Sequence, residues 1–374
     1  MGLSKATAKD KPKKMIHLTK ELCRAGRHTR RRHLNHVHVL FSTSTSDKPT
    51  MAWLDLSGSG VSAMERLVIE EALLRHDPKQ RSWGIVGNHD PTHHTRLSLH
   101  GATQGDQYTM PDVIHNSNCV IIMGIGGKAE KLLDIDLVKD DGVQIIRRFS
   151  GGGTVVVDHS SLWTTFIGRN KDTPDLTPYP REIMKWTADE IFSPAFQQMK
   201  ESMHTQGYKK KTLVMEQKSC GFASEQGGSM MQHSMDAKAI KDIPDFALVE
   251  TDYVMGDKKI GGNAQAITKD GWLHHTSFLW DYIDEHMRYL TLPEKRPDYR
   301  GDRTHDDFLV KLCDYFGRIE GGKRSFFKKV RKATAEKFEL EEYTLKDALE
   351  LIDGELGGIQ EFYDGKCRSK VVEL

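Results

Sequence analysis

The sequence predicts an α+β fold, with a mixed, largely antiparallel sheet packed with helices. Three observations predict it. Apolar, strand-like runs come in clusters, at 119–123, 143–167 and 246–280, and do not alternate one for one with helices. A hairpin signal, Lys269-Asp270-Gly271, joins two of these runs. Stretches with helical spacing bracket the clusters at 62–75, 180–204 and from Asp306 onward. A doubly wound parallel sheet would need regular strand–helix alternation, so a Rossmann fold is disfavoured.

Taken in order, residues 49–60 mark the edge of the folded part. Ser62–Arg75 places apolar residues at helical spacing with charges on the other face, and predicts a helix. Trp83–Val86 predicts a short strand. Residues 87–117 carry five histidines (His89, His93, His94, His100 and His115) among turn-forming residues. They read as a long surface loop whose spacing matches no metal-binding template. Cys119–Met123 predicts a buried strand, and Ile125–Leu133 a turn into a helix. Val143–Ser150 predicts a strand entering a triple-glycine turn, and Thr154–Val157 the strand that leaves it. Leu162–Ile167 follows as another. Pro180 opens a long helix to about residue 204. Phe246–Val254 and Ala264–Ile267 predict strands, the latter pairing across the hairpin with Trp272–Trp280. The tail from Asp306 reads as two or three amphipathic helices.

The bulk numbers exclude several classes of protein. With 374 residues, 37% hydrophobic and 29% charged, the chain can bury a sizeable core. No apolar run approaches the roughly 20 residues that cross a bilayer. Its five cysteines, 23, 119, 220, 313 and 367, form no CxxC pair, which argues against a disulfide framework or a structural zinc site. Net charge is +1 overall but uneven. Residues 1–48 hold 12 Lys+Arg against 3 Asp+Glu, and the rest 42 against 50. The head is rich in Arg and hydroxyls, poor in acids, and has no aromatic before Phe41. It reads as a disordered transit peptide, mitochondrial or else plastid. Residues 49–374 then form a single domain with the 87–117 insertion. The acidic body disfavours nucleic-acid binding.

Two motifs carry chemistry. In Arg147-Arg148-Phe149-Ser150-Gly151-Gly152-Gly153-Thr154-Val155-Val156-Val157-Asp158, three glycines strip the side chains from one turn. Backbone N–H groups can then approach a phosphate or carboxylate, and the arginines supply permanent planar donors. A plain hairpin turn would look the same, and neither a Walker A loop nor a Rossmann fingerprint is present. In Asp257-Lys258-Lys259-Ile260-Gly261-Gly262-Asn263-Ala264-Gln265, Lys259 can point into a cleft walled by bare backbone, where an ammonium would meet developing phosphate charge. A solvated hairpin lysine is the plainer reading of that segment alone.

These motifs, followed by His274-His275-Thr276-Ser277-Phe278-Leu279, resemble the lipoate–protein ligase A family of the biotin/lipoate ligase superfamily, closest to its eukaryotic and plant-like members. The similarity covers roughly residues 62–350. The resemblance implies a class II aminoacyl-tRNA synthetase-like catalytic domain with no separate C-terminal accessory domain in this chain. It implies an enzyme that activates lipoate with Mg·ATP to lipoyl-AMP. The lipoyl group then passes to a lysine of a lipoyl domain, in an E2 subunit of a 2-oxoacid dehydrogenase, or of glycine-cleavage H protein. On this resemblance Lys259 is catalytic. Arg148, Gly151, Gly152, Gly153, Thr154, Val155, Val156, Asp252, Gly262, Asn263, Ala264 and His275 join it in holding the nucleotide or lipoyl-adenylate. Asp158 is a weak candidate for holding Mg²⁺. Three positions depart from the family pattern: Gly261-Gly262-Asn263-Ala264 for Ser-Gly-Ser-Ala, Thr251 for Asn, and Thr276-Ser277 for Gly-Thr. They leave open a transferase working only from ready-made lipoyl-AMP and a non-catalytic lipoate-binding protein, and an octanoyltransferase using Cys220 is a further alternative within the same superfamily. A biotin ligase is disfavoured by the Arg-Arg-Phe-Ser lead-in.

Overall fold

The computed structural model describes residues 48–88, 119–205, 243–292 and 296–374. Chain contacts separate Met1–Thr45 from Ser46–Leu374, and the described residues all belong to the second unit. The basic head, most of the His-rich segment and Cys220 lie outside the described residues.

The fold is mixed α+β. The strands are β1 (Thr50–Asp55), β2 (Ser82–Asn88), β3 (Cys119–Met123), β4 (Gln144–Arg147), β5 (Gly151–Gly152), β6 (Val155–Asp158) and β7 (Leu162–Arg169). After them come β8 (Phe246–Val249), β9 (Asp252–Met255), β10 (Lys258–Lys259), β11 (Gly261–Ile267), β12 (Gly271–Phe278), β13 (Glu339–Tyr343) and β14 (Lys370–Val372). The main sheet runs β13-β1-β2-β7-β12-β11-β5, antiparallel from β2 onward. A second sheet runs β14-β4-β3-β6 and a third β10-β9-β8. Among the described residues no helix is long and apolar enough to cross a membrane.

The glycine segment is not the simple hairpin turn that a strand on each side suggested. β4 and β6 both pair with β3. Between them the chain leaves that sheet and lays Gly151 and Gly152 on the edge of the main sheet, opposite Gln265 and Ala264. It then returns as β6. Only glycine permits this crossing at position 152. Its φ is +118°, and a Cβ there would sit 2.6 Å from the Asn263 carbonyl oxygen.

The helix Ala63–His76 forms where expected and is closed by a capping box between Ser62 and Glu65. Its charged face, however, is not solvated. Twelve of its fourteen residues are buried, including Arg66, Glu70 and Glu71. Strands β2, β7 and β12 take Arg66 and Glu70, and the helices Leu345–Leu356 and Ile359–Gly365 pack against the same helix, so the charges pair internally. Arg66 Nε donates to Glu70 Oε1 at 2.7 Å, and Arg75 Nε to Glu71 Oε1 at 3.0 Å. The other Glu71 oxygen accepts the backbone N–H groups of Arg368 and Ser369 and the Cys367 thiol. The segment after the last helix is thereby tied to this one.

Phe246–Val254 is two strands and not one, because the chain reverses at Glu250, whose φ is +52°. That reversal delivers Asp252 to the start of β9. Three strands escaped the sequence reading. β1 is buried on both faces, so it shows no alternation. β13 is a glutamate-rich edge strand whose composition reads as helix. β14 has three residues. The helix opened by Pro180 runs to residue 205 through a π-helical turn at Ala188–Phe192.

Candidate functional site

A cavity of ≈ 930 Å³ opens between the glycine segment, the β9–β11 region and the stretch 287–309. Lys259 enters it from the two-residue strand β10, with its carbonyl bonded to the Val310 N–H. Its Nζ lies 2.7 Å from Asp252 Oδ1 on the neighbouring strand. The other Asp252 oxygen accepts the Tyr299 hydroxyl at 2.9 Å. An ammonium held by a nearly buried carboxylate, with bare glycine backbone opposite, suits an incoming oxyanion.

Gly151, Gly152, Gly153, Thr154, Val155 and Val156 wall the cavity on one side. Asp252, Gly262 and Asn263 face them with Lys259. Gly262 is bare because a Cβ there would fall 2.5 Å from a Val155 methyl. Thr154 Oγ1 is buried with no hydrogen-bond partner.

Arg148, Ala264 and His275 lie elsewhere. They line an adjoining space of ≈ 30 Å³, bounded also by Leu67, Ile122 and Trp163, which shares Val155, Gly262, Asn263 and Ser277 with the large cavity. Arg148, expected to meet the nucleotide, is buried and braces the segment from below. It donates to the carbonyls of Ile122, Gly151 and Gly153, the last at 2.7 Å. Burial lowers its pKa to about 10. The carbonyls take guanidinium donors that a phosphate would otherwise have used.

His274 and His275 are consecutive on β12, so they point to opposite faces. Glu70 can only accept, so His275 Nδ1–H donates to Glu70 Oε2 at 3.0 Å, and Nε2 accepts the Ser150 hydroxyl at 2.8 Å. Burial holds the His275 imidazole below its ordinary range, and therefore neutral. Burial also opposes the charge on Glu70. Arg66, the His275 N–H and the Thr165 hydroxyl outweigh it and keep that carboxyl below the usual range. His274 takes the other tautomer. Its Nδ1 accepts from the Gln265 amide at 2.8 Å, and its Nε2–H donates to the Tyr253 hydroxyl at 3.0 Å. Burial pulls it down to about 3. The Thr276 hydroxyl, 3.2 Å from His274 Nε2, donates to Asn263 Oδ1 at 2.9 Å. Each histidine thus fixes one wall: His275 the head of the glycine segment, His274 the amide of Gln265.

Asp158 does not fit the Mg²⁺ role raised for it. It is buried, and its Oδ1 accepts the amide and hydroxyl of Ser160. It lines neither cavity, and among the described residues no group of three His, Cys, Asp or Glu side chains could hold a metal.

Sequence reasoning missed the basic groups of the far wall: Lys131, Arg181, Arg300 and His305. Arg300 stacks 4.6 Å over Phe308, and its Nη2 is buried without a partner. Burial, then Arg300, lowers the His305 pKa. The run Arg296…Arg300…Arg303…His305 was the available signal. It also missed Arg66 and Glu70, although their i,i+4 spacing is legible.

A lysine, a carboxylate and stripped glycine backbone thus line one cavity of a mixed α+β domain. The sequence model of the lipoyl protein ligase A/B catalytic domain matches residues 99–339, and the chain belongs to that family. It is 29% identical over 215 residues to a Plasmodium falciparum protein named inactive lipoate–protein ligase 2. That match covers 54% of this chain and spans about half (50%) of that relative's length. Among solved structures, it is similar to lipoate–protein ligase A bound with ATP, at 17% identity and a TM-score of 0.49, covering 85% of this chain and 95% of that one. It is also similar to a bi-partite lipoate protein ligase studied with its E2 lipoyl domain from Thermoplasma acidophilum. There identity is 16% and the TM-score 0.48, with 85% of this chain and 93% of that one covered.

Proposed function

We propose that this protein transfers a lipoyl group to a lysine of an acceptor domain by way of lipoyl-AMP. The observation that carries the reading is Lys259 on Asp252, in one cavity with bare glycine backbone. In the first step the lipoate carboxylate attacks the α-phosphorus of ATP, forming the mixed anhydride and releasing pyrophosphate. In the second the acceptor lysine amine attacks the acyl carbon. The C–O bond to AMP breaks, an amide forms, and the amine loses its proton. Lys259 serves both steps by meeting negative charge on the phosphate and the acyl oxygen. The acceptor is a lipoyl domain or glycine-cleavage H protein. ATP occupies the polar part of the cavity. Mg²⁺ would enter only with the nucleotide, since Asp158 does not supply a site. The Arg- and hydroxyl-rich head directs the chain to mitochondria, which a reporter fused to residues 1–48 would test.

A second reading is a lipoate-binding protein without ligase activity. It is favoured by the name of the Plasmodium relative and by the three departures at Thr251, Gly261–Ala264 and Thr276–Ser277. The deciding experiment incubates residues 49–374 with an acceptor domain, lipoate and Mg²⁺, with and without ATP, and in parallel with synthetic lipoyl-AMP. A lipoyl mass gain on the acceptor with ATP means a full ligase. A gain with lipoyl-AMP alone means a transferase fed by another activating enzyme. No gain with either leaves the second reading.

A further inference from the structure

The C-terminal segment meets the glycine segment at one buried point. Three backbone bonds hold the lead-in from β4 to the glycines. The Arg148 N–H donates to the Met123 carbonyl, and the Ser150 carbonyl accepts the Ile125 N–H. Between them the Phe149 N–H donates to the Ser369 hydroxyl at 3.1 Å, a partner 220 residues away in sequence. Phe149 is buried, its ring edge-on to His275 at 6.3 Å and beneath the Arg75 guanidinium at 6.0 Å. A backbone donor so enclosed must find its acceptor within the protein, and the Ser369 oxygen supplies it.

Ser369 is itself pinned from both sides. On one side Glu71 Oε2 accepts the N–H of Arg368 at 3.0 Å, that of Ser369 at 3.3 Å and the Cys367 thiol at 3.3 Å. Burial, then Glu71, pushes that thiol up to about 12, so it keeps its proton and goes on donating. On the other side β14 pairs antiparallel with β4, Lys370 opposite Arg147 and Val371 opposite Ile146. Glu71 and Ser369 are both fully buried. Bonds from amides to a carboxylate are the strong, directed kind. The hydroxyl is therefore fixed relative to the helix Ala63–His76 and to the strand that feeds the glycines.

We infer that Ser369 is a positioning residue for the large cavity: anchored by Glu71 and β14, its hydroxyl holds Phe149 so that Gly151–Gly153 present bare backbone to the ligand. Ser369 lines neither space and acts through the chain it holds. The inference rests on the proposed function for the identity of the ligand, and adds a distant residue on which that site depends. A misplacement of about 1 Å caused by a distant change can cost about 10²-fold in activity.

The test compares the full chain with its Ser369→Ala and Ile352→Val variants. Ile352 is a buried residue of the helix Leu345–Leu356, and the smaller valine lowers stability without removing a hydrogen bond. Two quantities are read: amide hydrogen exchange at residues 149–153, and calorimetric binding of ATP and of a non-hydrolysable sulfamoyl analogue of lipoyl-AMP. Ser369→Ala should speed exchange at 149–153 and weaken probe binding by about tenfold each, the scale of one buried donor left without its acceptor. Ile352→Val, compared per degree of melting temperature lost, should change either by less than about twofold. If the two variants move exchange at 149–153 alike, Ser369 only adds stability and the inference is overturned. Faster exchange with unchanged probe binding overturns it as well, because the site then does not depend on the hold. If the unmodified chain binds neither probe, the functional reading fails, and exchange alone decides whether Ser369 holds the segment.

Discussion

The two spaces that meet at the glycine segment differ in size, ≈ 930 against ≈ 30 Å³, and more deeply in how their polar groups are treated. Around the small space a hydrogen-bonded chain runs from Arg66 through Glu70 and His275 to Ser150, while Arg66 Nη1 and Arg148 Nε are buried without a partner. Around the large one, Arg300 Nη2 and Thr154 Oγ1 are buried and unpartnered, and Lys259 has a single carboxylate for company. A buried hydrogen-bonded chain rigidifies its surroundings, and the buried donors left over on either side call for a partner. The same motif therefore builds two things: a rigid brace from its arginine and serine, and a receptive wall from its glycines.

Breaking the brace should have the largest effect. Glu70→Ala leaves Arg66 buried without its carboxylate and should lower stability by about 3–5 kcal/mol, read by chemical denaturation. A loss under about 1 kcal/mol would mean that the charges are not held as described. Removing the receptive cation comes next. Lys259→Ala should cut acceptor lipoylation by at least about 10²-fold while leaving the melting temperature nearly unchanged. A loss of only a few-fold would refute its role. Gly152→Ala touches both spaces, through its φ of +118° and its closeness to the Asn263 carbonyl and Arg148. It should cost about 1–3 kcal/mol and weaken nucleotide binding together.

Acid sharpens the comparison from another side. His274 is neutral in the fold, its pKa near 3 against 6.5 unfolded, so the unfolded chain binds the extra proton first. Its contribution is complete above pH 6.5 and drains away as pH falls toward 3. The slope is up to about 1.4 kcal/mol per pH unit for this one proton. His275 is shifted in the same direction. His274→Gln should flatten the stability profile across that window, and an unchanged profile would contradict the burial assignment. The smallest effect belongs to neither space. Ser62→Ala removes only the cap of the Ala63–His76 helix, for about 1 kcal/mol.

Much of this was readable in the residues. Hydrophobic spacing gave the helix at 63–76, Pro180 the start of the long helix, and Lys269-Asp270-Gly271 the β11–β12 hairpin, because these signals depend on neighbours in sequence. The glycine run, Asp252, Lys259, Gly262 and Asn263 were singled out together, and they share one cavity. What the chain alone could not state was which polar residues face inward. Arg66 and Glu70 look like a solvated i,i+4 pair until β2, β7 and β12 close on them through Ile85, Thr165 and His275. Arg148 looks like a phosphate contact until the carbonyls of Ile122, Gly151 and Gly153 close around it. The sequence by itself determined the local elements, the glycine freedom and the charge inventory. Only the tertiary structure decided which charges are matched and which are left to receive a ligand, because matching is set by groups tens to hundreds of residues apart, brought together by packing.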